Sequence, residues 1–120
     1  MFMDSILTSV KKMLGIDEAY THFDTDIIMH INSIFNVLTQ IGVGPEDGYQ
    51  IQNADDLWSD FLGDTKLLNT VKSYMYLRVK LLFDPPATSS AGESLRKIAD
   101  EFEWRISVTV DPKREVIQNG

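Results

Sequence analysis

The sequence predicts an all-α protein, a compact bundle of about five helices. Three observations carry that reading. Apolar residues recur at helical spacing in five separate segments. Residues that start or stop helices bound those segments. Together the segments take up well over half of the 120 residues, against about one third for an average globular protein.

The first segment covers about 5–14. Ile6, Leu7, Val10, Met13 and Leu14 fall on one face, with Asp4 as the expected N-cap. Lys11 and Lys12 stand in the last turn, where cations oppose the helix dipole, and Gly15 suits the left-handed position beyond the end. The second, about 25–41, has the clearest stripe: Ile27, Ile31, Ile34, Leu38 and Ile41. Asp24 is placed to cap it, and Phe23 and Ile28 have the spacing of a hydrophobic staple. Gly42 and Pro45 end it. Residues 42–52 hold three Gly and one Pro, which implies defined turns.

The third segment, about 54–62, takes Asn53 as cap and Leu57, Trp58, Phe61 and Leu62 as its apolar face. Asp64 is expected to cap the fourth, about 65–82. Apolar residues almost surround that segment, so it is expected at the centre. Its charges, Lys66, Lys72, Arg78 and Lys80, point in different directions, which fits snorkelling from a buried helix better than one basic stripe. Asp84-Pro85-Pro86 stops it. Ser90 and Glu93 have the capping-box spacing. The fifth segment, about 91–107, uses Leu95, Ile98, Ala99, Phe102 and Ile106. Ser107-Val108-Thr109-Val110 alternates and is β-branched, so 107–111 reads either as a short strand or as an extension of the helix. Residues 1–112 are expected to form a single helical domain and 113–120 a flexible tail.

Charge narrows the function classes. The formal net charge is −7 and Cys is absent. Zero Cys removes disulfide scaffolds, thiolate metal sites and cysteine nucleophiles. A negative balance is wrong for gripping nucleic acid by its phosphates or for docking on anionic lipid. The opening Met1-Phe2-Met3-Asp4-Ser5 lacks the basic start and long apolar run of a signal peptide, so a soluble protein made in the cytoplasm is expected. Residues 1–60 hold ten acids against Lys11 and Lys12, a net −8, while residues 61–120 hold nine bases against eight acids, a net +1. Such a split suits head-to-tail docking of unlike surfaces; chance on a small surface is the plain alternative.

The chain offers little for catalysis. His30 follows Asp26 by one helical turn, so the two can touch. Ser33 lies on the same helix rather than across a cleft, and an ordinary histidine is the better reading. His22 and His30 lack the spacing and third ligand of a metal site. The Gly42–Gly48 loop looks superficially like a phosphate cradle, but it carries Glu46 and Asp47 and no Lys, so a structural turn is the better reading. The expected sets of catalytic, cofactor and metal residues are therefore empty. Trp104 stands two residues from both Phe102 and Ile106. If those two face the core, Trp104 leans outward, as an interface anchor would. Val108 and Val110 would extend that patch, and Lys113 and Arg114 in the tail are further contact candidates.

The order of parts resembles the small head–tail connector (adaptor) proteins of long-tailed phages and prophages. Ser5–Ile16, Phe23–Asn32, Leu38–Pro45, Trp58–Phe61 and Tyr74–Pro86 carry the resemblance, over about residues 5–110. It implies an α-helical structural virion protein, not an enzyme and without cofactors. It also implies a ring of roughly a dozen copies on the portal, leading to a stopper or tail-completion protein at the head–tail interface of the virion. DNA would pass through that ring without sequence-specific binding, and no membrane is involved. The competing reading is a monomeric helical interaction module. A small hydrolase resting on His30 and Asp26 is a third.

Overall fold

The computed structural model describes residues 4–63 and 65–110. Five helices make the fold: α1 (Ile6–Met13), α2 (Asp24–Ile41), α3 (Trp58–Phe61), α4 (Lys66–Phe83) and α5 (Ser89–Val110). Among the described residues there is no strand, only an isolated antiparallel bridge between Ser5 and Leu57.

α1 begins one residue later than its pattern suggests because Ser5, not Asp4, caps it. The Thr8 N–H donates to Ser5 Oγ at 3.3 Å, while the Ser5 hydroxyl donates to the Ala54 carbonyl at 2.7 Å. One side chain thus starts the helix and ties it to a distant loop. α2 starts at Asp24 with no side-chain cap, since the Asp24 carboxylate is engaged by Lys11 instead. At its other end Gly42 takes a φ of 105° and its N–H donates to the Leu38 carbonyl at 3.0 Å. That left-handed turn is open to glycine at little cost.

α3 is a single turn, shorter than 54–62. The missing part is held by local polar bonds that compete with a helix. Asn53 Oδ1 accepts from the Asp55 N–H at 2.8 Å, and Asp56 Oδ2 accepts from the Gln52 and Asn53 N–H groups. Asn53 therefore shapes a turn rather than capping α3, and Asp60 accepts from the Leu57 N–H at the real start. The expected cap of α4, Asp64, lies outside the described residues; Thr65 accepts from the Leu68 N–H and caps the helix.

α5 settles the alternative at its C-terminal end. It is helical from Ser89 to Val110, and Asp111 onward, with the expected tail 113–120, lies outside the described residues. The β-branched run stays helical because Ile106 is fully buried against the bundle. The Ser107 and Thr109 hydroxyls donate to the Glu103 and Arg105 carbonyls one turn back. At its start, Thr88 Oγ1 accepts from the Ala91 N–H. Ser90 is thus inside the helix, and the capping box expected of Ser90 and Glu93 does not start it.

α4 is the central helix, packed against α5, α2 and α1. It buries Leu68, Val71, Tyr74, Met75 and Val79. The second layer of the core is Ile27, Ile31, Ile34, Phe35 and Leu38 of α2. Phe35 gathers an aromatic group, with ring centroids 4.6 Å from Phe61, 5.1 Å from Tyr49 and 6.0 Å from Trp58. Trp58 is fully buried and its indole N–H donates to Ser9 Oγ at 3.0 Å, so burial leaves no orphaned donor. The 42–52 loop is sewn to the bundle. Val43 and Ile51 are buried, and the Asn32 amide both donates to the Ile51 carbonyl and accepts from its N–H.

Candidate interaction surfaces

α4 and α5 run antiparallel, joined by the Pro85-Pro86 connection. The N-terminal half of α4 and the C-terminal half of α5 leave an open groove of about 440 Å³ between them. Leu67 and Thr70 form one wall, and Phe102, Trp104 and Val108 the other. Lys66 and Arg105 also line it, and among the described residues no carboxylate does. Arg105 is ion-paired at 3.0 Å with Glu101, one turn back. Trp104 is 46% exposed. It shares the groove with Val108 because a spacing of four puts both on one side of the helix.

Val110 does not extend this patch. Six positions past Trp104 is about 240° around the helix, and Val110 packs onto the core beside Gly42. Lys113 and Arg114 lie outside the described residues. Phe102 belongs to both worlds: it packs on the core and lines the groove.

A second surface lies at the other end of α4. Leu67 and Phe83 are sixteen residues apart, about 24 Å along a helix. Phe83 meets the start of α2, its ring 5.3 Å edge-on from Phe23 and 6.3 Å from His30. Tyr20 and His22 continue the array, each within 6.0 Å of a neighbouring ring. Tyr20 is 51% exposed. Sequence reasoning passed over this corner. Its signal is the cluster of three aromatic or imidazole residues among Tyr20, His22 and Phe23, far from Phe83 in the chain. No ion pair joins His30 to Asp26 among the described residues, and Ser33 Oγ donates back to the Met29 carbonyl.

The corner is held by Lys11. That side chain is 2% exposed, and its ammonium donates to the Glu18 carbonyl at 3.0 Å and the Tyr20 carbonyl at 2.7 Å. It also pairs with Asp24 Oδ1 at 2.8 Å. Lys11 stands in the last turn of α1, as its place in the sequence implies, with its stem inside and its charge fixing the 14–23 loop.

Between the two surfaces α4 and α5 are locked by polar bonds. The Tyr74 hydroxyl donates to Glu103 Oε1 at 2.6 Å, and Arg78 donates to Glu103 at 3.0 Å and Asp100 at 2.7 Å. Burial, then the bond to Glu103, pushes the Tyr74 phenol up to about 12. Two other cations of α4 are engaged elsewhere, Lys72 over the Trp58 ring at 5.8 Å and Lys80 on Asp84 at 2.8 Å.

It is the whole chain, rather than either surface, that identifies the protein. A family model described as phage connector protein matches residues 6–113. The chain belongs to this family. No curated protein and no solved structure matches it. As a phage connector it is a structural protein of the particle, at work among other head and tail proteins. Among the described residues of the connector, no helix is long and apolar enough to cross a membrane.

Proposed function

We propose that this connector assembles as a closed ring of identical subunits on the portal, leads to a stopper or tail-completion protein, and forms part of the conduit through which DNA passes. The observation that carries the reading is the pair of unlike exposed surfaces at opposite ends of α4, in a chain of this family. A ring needs a heterologous interface, in which two different faces of one molecule meet and the rotation closes. A monomer with a single binding face has no use for two.

The net charge of −7 supports a conduit rather than a clamp. An acidic lining repels phosphates, so DNA slides without being held. A ring whose lumen is lined mainly by Lys and Arg would contradict this part of the reading. Sizing chromatography with light scattering tests assembly, on the connector alone and with portal protein added. Rings in either setting support the reading. A strict monomer that ignores the portal favours a monomeric interaction module instead.

A further inference from the structure

The Trp104 groove follows α5 to its end. Phe102, Trp104, Val108 and Thr109 line it, and α5 closes at Val110, so the chain leaves the helix one residue past the groove's own lining. Ten residues follow, Asp111-Pro112-Lys113-Arg114-Glu115-Val116-Ile117-Gln118-Asn119-Gly120. Proline at 112 is incompatible with a further turn of α5, because it has no N–H to donate and its ring would meet the Val108 carbonyl. It also disfavours helical backbone at Asp111. Val116 and Ile117 are the only aliphatic residues of the segment. Trp104 stands six residues before Val110, about 9 Å back along the helix axis. The six residue steps from Val110 to Val116 reach up to about 20 Å, enough to reverse direction and arrive over Trp104.

We infer that the occupant of the Trp104 groove in the single subunit is the chain's own segment 111–120, folded back so that Val116 and Ile117 lie against Trp104, Leu67 and Val108. Burying two aliphatic side chains there takes apolar area out of water on both sides of the contact. The short tether favours this occupant over any other. It holds the segment at a local concentration on the order of millimolar, well above that of a separate copy in dilute solution. The assignment concerns one subunit and stands apart from the ring. A neighbour or partner that takes this surface displaces the segment, so assembly opens the groove rather than finding it open.

Trp104 fluorescence in the full chain reads the groove. The other tryptophan, Trp58, is fully buried with its N–H bonded to Ser9, so subtracting the signal of Trp104→Phe isolates Trp104. The parent is compared with Val116→Asp/Ile117→Asp, which keeps the length of the segment and removes its apolar contact. Both substitutions lie beyond α5, and circular dichroism checks that the bundle is intact. At low micromolar protein, the emission of Trp104 is expected to shift to the red in this variant and its acrylamide quenching constant at least to double. Val116→Leu/Ile117→Leu keeps the contact apolar and is expected to quench like the parent. Equal quenching of Trp104 in the parent and the aspartate variant overturns the assignment, as does a leucine variant that quenches like the aspartate one. Shielding of Trp104 that is lost when the parent is diluted a hundredfold also overturns it, since the occupant is then a second copy.

Discussion

Lys11 Nζ lies 2.8 Å from Asp24 Oδ1, with the lysine 2% exposed and the aspartate 24%. The pair joins the last turn of α1 to the first turn of α2 and places the intervening loop. With the Glu18 and Tyr20 carbonyls as further acceptors, the buried ammonium is well satisfied. Removing one partner of such a pair is costly, because the other charge remains desolvated.

Lys11→Ala is therefore expected to destabilise the connector by about 3 kcal/mol, at the lower end for a buried pair because Asp24 keeps some solvent. Lys11→Met combined with Asp24→Leu removes both charges and is expected to recover more than half of that loss. Urea unfolding midpoints check both. If Lys11→Ala leaves the midpoint unchanged, the pair does not hold the corner.

Gly44 has a φ of +83°, and a Cβ there would run into the Phe61 ring, 2.9 Å from Cδ1 and 3.0 Å from Cζ. Phe61 is buried against Phe35 and has little room to retreat. Gly44→Ala is expected to cost about 2–4 kcal/mol, combining left-handed strain with overpacking. Gly15→Ala, with a φ of +78° and nothing within 4 Å, carries the strain alone and should cost about 1 kcal/mol. Thermal unfolding of the two variants side by side separates the terms.

The Tyr74 and Tyr49 phenols are both raised from 10.0 to about 12. Burial is the main cause at each, followed by the Glu103 bond at Tyr74 and by Asp56 and Asp60 at Tyr49. A raised phenol favours the protonated, folded form. Its contribution is whole below the unfolded value and is lost as pH climbs toward about 12. Stability should thus fall between pH 10 and 12, and Tyr49→Phe/Tyr74→Phe should flatten that fall. Denaturant titrations at pH 8, 10 and 11.5 read the difference. Equal slopes for parent and variant would refute it.

Most of the fold was legible in the sequence, because it rests on period and punctuation. α2 announces itself by its stripe and Gly42, and α4 by apolar residues almost all round and by Pro85. What local pattern could not show is which polar groups meet across the fold. Nothing local marks Lys11 as buried, because its partners, the Glu18 and Tyr20 carbonyls and Asp24, come together only when the loop closes. α3 shrank to one turn because Asn53 and Asp56 bond backbone more readily than they extend a helix. The Trp104 lean followed from helix geometry alone, whereas the Tyr20 corner needed Phe83, sixty residues away in round numbers, to become a surface.

The most direct test of the ring is the mass of the assembled species. The full connector mixed with portal protein should be measured by light scattering after sizing chromatography. A single species holding a fixed, closed number of connector copies per portal ring is the predicted result. Connector eluting at monomer mass, with none on the portal, would contradict it.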